Sequence, residues 1–153
     1  MPAMDEDFHP ALFTSHEAVE QAFYDALERA DLDALMACWS EDDDIVCVHP
    51  SGPRMVGVEA VRRAFSQMLE NGPVHIRPLA LHVQVGMMFA VHSLVEQVMV
   101  RTQRGEGTLS LFATNVYVKT PNGWRMSMHH ASPIPDESVV EQSFEVQRPS
   151  ILH

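Results

Sequence analysis

The sequence predicts an α+β domain in which helices gather on one face of a strongly curved, mainly antiparallel sheet. Two observations carry that expectation. Apolar residues recur at helical spacing as far as Leu69, and from Val74 the period changes to two. Turn signals at Gly86, at Arg104 to Gly107 and at Pro121-Asn122-Gly123 then divide the second part into four long strands. Helices followed by strands, rather than alternating with them, argue for segregated layers. A curved sheet wrapped over helices leaves a cone open at one end, where pockets form.

Each element follows from local chemistry. Residues 1–14 are acidic, contain two prolines and read as an arm. Thr14 or Ser15 caps a helix beginning near His16, with Glu17 in its first turn. Val19, Ala22, Phe23, Ala26, Leu27 and Ala30 form its apolar stripe. Asp31 caps a second, shorter helix with Leu32, Leu35, Met36 and Trp39 on one face. Four acids, Glu41 to Asp44, stop it. Ile45–Val48 is a short apolar run consistent with a buried strand. His49-Pro50-Ser51-Gly52-Pro53 is a turn, because Pro50 pushes His49 out of the helical region. Gly57 precedes a third helix, Val58–Glu70, which Asn71-Gly72-Pro73 ends. The strands are expected near Val74–Val85, Met88–Arg101, Gly107–Lys119 and Trp124–Ser132. Pro78 argues for a bulge or an edge in the first of them. The domain spans 15–132, and residues 133–153, with three prolines, read as an extended tail.

The bulk numbers narrow the function classes. A chain of 153 residues suits one domain, and 46% hydrophobic residues supply a core. Ten Lys and Arg against 21 Asp and Glu give a formal charge of −11, which argues against a nucleic-acid partner. No apolar run approaches a membrane span, and the N-terminus lacks an export pattern, so a cytoplasmic location is expected. Cys38 and Cys47 read as reduced, buried small residues. No phosphate-binding loop, dinucleotide glycine motif or serine-nucleophile elbow is present.

These residues together resemble the NTF2-like superfamily, which includes the SnoaL-like cyclases, the ketosteroid isomerases and the association domain of calcium/calmodulin-dependent kinase II. The carriers are ALERADLDALMACW, DDIVCVHPSG, the helix start at Gly57 and ATNVYVKTPNGWRMSMHHASP. The resemblance covers residues 15–132. It implies a cone-shaped pocket for a small apolar organic ligand and a homodimer formed through the outer sheet face. In the last strand Trp124, Met126 and Met128 alternate with Arg125, Ser127 and His129. Periodicity alone makes the Trp/Met face the core. The resemblance instead puts Trp124, Met126 and Met128 at the dimer interface with His130, and turns His129 and Ala131 to the pocket. A shift of one residue in parity exchanges them.

The resemblance also suggests site residues. His49 aligns with the proton-shuttling Asp of the isomerases, so it is a candidate base; the alternative is a histidine that caps the strand end on a backbone carbonyl. Asn115 aligns with their oxyanion-donating Asp. A buried unpaired amide costs about 1–3 kcal/mol, so Asn115 has a partner, either a ligand or a neighbouring side chain. Phe23 stands where they carry a catalytic Tyr and has no hydroxyl, while Tyr24 is expected to point elsewhere. Glu96 is an odd acid in an apolar strand. Near His129 or Asn115 it is a candidate acid/base partner with a perturbed pKa; otherwise it pairs with Arg77 or Arg101 at the surface. Phe23, Trp39, His129 and Tyr117 are expected to line the ligand site, although Trp39 is most simply read as core and interface filling. No metal site is expected among His49, Glu96, His129 and His130, because adjacent strand residues point to opposite faces. The implied chemistry is cofactor-free proton transfer beside a carbonyl: isomerisation, cyclisation or dehydration. The alternative is a non-catalytic ligand-binding or assembly module.

Overall fold

The computed structural model describes residues 12–135. Its first helix, α1 (His16–Arg29), starts where the Ser15 side chain accepts from the Ala18 N–H. Such a cap contributes about 1 kcal/mol. The chain leaves α1 through Ala30 in the left-handed conformation and enters α2 (Leu32–Met36), capped by Asp31 accepting from the Ala34 N–H. Then follow β1 (Val46–Val48), β2 (Arg54–Val56), α3 (Val58–Leu69), β3 (Ile76–Val85), β4 (Phe89–Thr102), β5 (Gly105–Thr120) and β6 (Gly123–Pro133).

The six strands form one curved, unclosed sheet in the order β2-β1-β6-β5-β4-β3. All neighbours are antiparallel except β1 and β6. The helices pack on its concave face: α1 lies against β3, β5 and β6, and α3 against β2 and α2. The expected α+β cone is therefore formed. Its core joins Val19, Phe23, Leu27, Leu35, Trp39, Val61 and Phe65 from the helical part to Leu94, Ala113, Tyr117, Met126 and Ala131 from the sheet. Each large apolar side chain so buried contributes about 1.5–3 kcal/mol.

Pro78 lies on an edge strand, and the pairing of β3 with β4 shifts between Leu79 and His82, where Ala80 has φ 52°. Both alternatives read from Pro78 are thus realised. Strand β2 is an addition to the expected elements: three residues between Pro53 and Gly57 are too short to show alternation. The hairpin at Pro121-Asn122-Gly123 forms as expected. Gly123 has φ 89°, and a Cβ there would stand 2.7 Å from the Phe13 carbonyl oxygen, so a side chain is excluded twice over.

The last strand resolves its own ambiguity. Tyr117 pairs with Met126 and Val116 with Met128, so Ser127 is an extra residue that opposes nothing. This bulge flips the parity halfway along β6. Before it Trp124 and Met126 face inward; after it His129 and Ala131 do, while Met128 is half-buried and His130 exposed. The interface role expected for Trp124 and Met126 is therefore incorrect: both are core residues. Trp39 bridges to Met126, and the Trp124 N–H donates to the Phe13 carbonyl, so both strand positions are covered by other segments of the same chain. The outer parts of the expected arm (1–14) and tail (133–153), namely 1–11 and 136–153, lie outside the described residues, whereas β6 itself runs to Pro133.

Candidate functional site

Three polar side chains, His16, Glu20 and Tyr24, are spaced four apart on α1 and so share one stripe beside the apolar one. They meet the concave face of the sheet. Alternation along β4 turns His92 and Glu96 inward, along β5 Asn115 and Tyr117, and on β6 the bulge turns His129 inward. Register aligns His92, Asn115 and His129 directly across three strands, with Cys47 of β1 next in the row. Glu20, Tyr24, His92, Glu96, Asn115, Tyr117 and His129 are all buried.

The hydrogen positions in this network follow from one charge. For Glu20, burial raises the carboxyl pKa, but the hydrogen bond and attraction from His92 and the bonds from Asn115 and Tyr117 outweigh it and leave the pKa lowered. A carboxylate only accepts. Its Oε1 therefore receives His92 Nδ1–H at 2.9 Å, Tyr117 O–H at 3.0 Å and Asn115 Nδ2–H at 3.2 Å. The second amide hydrogen of Asn115 goes to the Tyr24 oxygen at 3.0 Å. Tyr24 must then turn its own hydrogen to Glu96 Oε2, 2.6 Å away. Asn115 Oδ1 remains as the acceptor for His129 Nδ1–H at 2.6 Å. With Nδ1 protonated, the neutral His129 ring carries its lone pair on Nε2, which stands 3.9 Å from Glu96 Oε2. At the other end, His16 Nδ1 and His92 Nε2 share one proton across 2.8 Å.

Burial dominates the titration of the inner groups. It pushes the Glu96 carboxyl up to about 7, helped by the Glu20 charge and opposed by the Tyr24 hydrogen bond. His129 goes down to about 3, through burial first and then the fields of His49 and His130. Burial also lowers the pKa of His49. Tyr24 and Tyr117 are raised well above the usual phenol range, again first by burial, and remain hydroxyl donors. The thiols of Cys38 and Cys47 are buried and pushed up to about 12, which leaves them unreactive.

Tyr24 corrects one expectation. It does not point elsewhere: its hydroxyl joins Glu96 to Asn115, so the hydroxyl missing at Phe23 is supplied one residue later. Glu96 lies beside Asn115 and His129, the interior alternative, while Arg101 pairs with Glu106 instead. Asn115 finds its partners in neighbouring side chains. It is linked to His129 rather than to His49. Sequence reasoning misses Glu20, His16 and His92; the four-residue spacing of His16, Glu20 and Tyr24 is the available signal.

Beside this network lies a cluster of rings. Phe23 packs on Trp39, Phe65 and His129 at centroid distances of 6.4, 5.9 and 5.3 Å. Phe65 in turn meets His49 edge-on at 5.1 Å and Trp39 at 6.2 Å. The cone interior is thus occupied by side chains. Open clefts of about 470, 400 and 240 Å³ lie elsewhere, and none is lined by His49, Glu96, Asn115 or His129. The 240 Å³ cleft, between α1 and Pro78 of β3, reaches Glu20 and Tyr24. Pro78 is the register partner of Glu96, so this cleft adjoins the network. Among the described residues no three His, Cys, Asp or Glu side chains gather as a metal would require. No helix of the described residues is long and apolar enough to cross a membrane.

Comparison with known proteins agrees with this architecture. The SnoaL-like domain family matches residues 17–137. A chain from Thiobacillus denitrificans, provisionally named a calcium/calmodulin-dependent protein kinase type II association domain, is 33% identical. The alignment covers 81% of this chain and 98% of that one, with a TM-score of 0.74. A chain from Streptomyces avermitilis, provisionally named a dehydratase of the NTF2-like family, is 25% identical over 89% of this chain and 100% of that one, at 0.71. A cystatin-like-fold protein from Caulobacter vibrioides, 13% identical over 86% and 94% of the two chains, shares the fold at 0.69. No curated protein matches. The family match over most of the chain, on an NTF2-like cone with its polar network turned inward, makes this protein a member of the SnoaL-like family.

Proposed function

We propose that the protein is a cofactor-free proton-transfer enzyme acting on a small carbonyl compound. The observation that carries this reading is the Glu96 carboxyl, raised to about 7 and hydrogen-bonded by Tyr24 at 2.6 Å beside the His129 ring. A group that gains and loses its proton near neutral pH suits both halves of a general acid–base cycle. Ionised Glu96 takes a proton from the carbon next to the carbonyl, leaving an enolate. The resulting acid returns that proton to another carbon, which isomerises the substrate, or to a β-hydroxyl that departs as water. Tyr24 holds the carboxyl in place, and Asn115 fixes both Tyr24 and the neighbouring neutral His129. His49, the base expected from alignment, becomes a ligand-facing residue in this reading. The provisional name of the Streptomyces avermitilis relative, a dehydratase, belongs to the same reaction class.

The test needs no known substrate. Small ketones incubated with the protein in D2O are followed by proton NMR for exchange next to the carbonyl. Wild type is expected to exchange at least one of them, with a rate that rises through pH 7. Glu96→Gln is expected to lose about 10²-fold or more, and Tyr24→Phe about tenfold. Exchange that persists in Glu96→Gln, or its absence in wild type across the panel, contradicts the proposal. The second reading, a non-catalytic binding or assembly module, is favoured by the filled interior and predicts no exchange. The self-association implied by the resemblance is proposed through Val91, Val116 and Met128, which register aligns across the outer face. Light scattering that finds a monomer would contradict it.

A further inference from the structure

A buried charge ordinarily has a partner of opposite sign, and Arg125 has none among the described residues. It sits on β6 between Trp124 and Met126, whose side chains face inward, so alternation sends the guanidinium to the outer face. An arginine there is ordinarily exposed, yet Arg125 is only 6% exposed. The Phe13 ring covers it, with its centroid 5.3 Å from the guanidinium carbon, but brings no anion. Nη1 donates to the neighbouring Trp124 carbonyl at 3.2 Å. The arginine ion pairs among the described residues are Arg29–Asp31, Arg62–Asp33 and Arg101–Glu106. Fully enclosed nitrogens without a partner occur among those residues on Trp39 and His49 alone. The N–H groups of Arg125 that Trp124 does not use therefore reach open space. That space is the cleft of about 470 Å³.

The cleft lies between the acidic segment after α2 and the ends of β5 and β6. Arg125 and Lys119 bring positive charge to it from the strands. Glu41, Asp42 and Asp44 bring negative charge from the segment. Asp42 is held in place there: the Ser40 hydroxyl donates to its Oδ2 at 3.0 Å and accepts its backbone N–H at 3.4 Å. We infer that this cleft binds a small zwitterion of the amino-acid class, with its carboxylate on Arg125 and its ammonium at the acidic segment. The planar guanidinium fork matches a carboxylate with two parallel N–H···O bonds. A simple anion would satisfy Arg125 but meet three acids. A simple amine would satisfy the acids but leave the guanidinium unpaired. A ligand that carries both charges suits both walls, and Val118 and Pro121 offer an apolar side chain a contact. The site lies on the opposite face of the sheet from Glu96, so it stands apart from the proposed proton transfer.

Three probes test the cleft: L-leucine, 4-methylpentanoate and L-leucine methyl ester. They share one carbon skeleton and carry both charges, the negative one alone and the positive one alone. Binding is followed in ¹H–¹⁵N spectra of the whole chain. Leucine is expected to shift the amides of Val118, Asn122 and Ser127 in a saturable way. It should bind at least about tenfold more tightly than either other probe. Arg125→Lys keeps the charge but loses the fork, and should weaken leucine about tenfold. Asp44→Asn should weaken leucine while leaving 4-methylpentanoate unchanged or tighter, a reversal that a merely structural role would not produce. Glu96→Gln should leave all three affinities unchanged. Equal affinities, or leucine shifts confined to the amides around Glu96, Asn115 and His129, overturn the inference. So does binding of none of the probes. If light scattering then shows that Arg125→Lys alters the oligomeric state, a second copy of the chain supplies the missing anion instead. Should Arg125→Lys fail to fold, the order of the probes on wild type and the response of Asp44→Asn still decide.

Discussion

The two halves of the cone interior share one sheet face and differ in how their polar atoms are used. On the α1 side, Glu20, Tyr24, Asn115 and Tyr117 are closed into a network in which one carboxylate fixes every proton. On the α3 side, the rings of Trp39, Phe65 and His49 enclose two polar atoms without a hydrogen-bond partner among the described residues. A saturated network rigidifies and positions, whereas an unpaired buried polar atom is a cost to the fold. The difference separates side chains bonded within a network from side chains that carry an unpaired nitrogen among the described residues, although burial alone does not tell them apart.

Substitutions should respond in opposite ways in the two halves. The largest effect is expected from Glu20→Leu. It leaves the donors of His92, Asn115 and Tyr117 without their acceptor, and unfolding in urea should show a loss of about 4 kcal/mol. A loss under about 1 kcal/mol would mean that the network is not saturated in solution. An intermediate effect is expected from Tyr117→Phe, which deletes one bonded hydroxyl and should cost about 1–2 kcal/mol by the same measurement. The smallest is expected from His49→Phe, which removes a nitrogen that has no partner among the described residues and should change stability by less than about 1 kcal/mol in either direction. Equal losses in Tyr117→Phe and His49→Phe would erase the comparison.

Much of the cone is legible in the sequence because its signals are local. Caps at Ser15 and Asp31, the change of period at Val74 and the hairpin at Asn122-Gly123 each act within a few residues. The bulge at Ser127 is not legible, since an extra residue is visible only against its partner strand. That one residue decides the fate of Trp124 and Met126. At the site, Glu96 stands out as an acid in an apolar strand, and Asn115 as an amide that needs a partner. Tyr24 and Glu20 escape notice because, on a helix, a polar residue next to the apolar stripe looks the same whether it faces solvent or a second polar layer. Only the inward positions of His92 and Asn115 on β4 and β5 distinguish the two cases.

The charge of Glu96 decides the proposed chemistry, and it also has a thermodynamic signature. Folded, the carboxyl holds its proton up to about 7, against an ordinary value of 4.5. Between those pH values the folded state binds the extra proton, so wild-type stability falls as pH rises, by about 3 kcal/mol relative to Glu96→Gln. The contributions of Glu20 and His129 run the other way, being lost as pH falls, and they cancel in that comparison. The most direct measurement is the titration of the Glu96 side-chain carboxyl by ¹³C NMR, with the signal assigned by Glu96→Gln. A midpoint near 7 is expected. A midpoint near 4.5 would show an ordinary, ionised carboxylate and would contradict the assignment of Glu96 as the group that moves the proton.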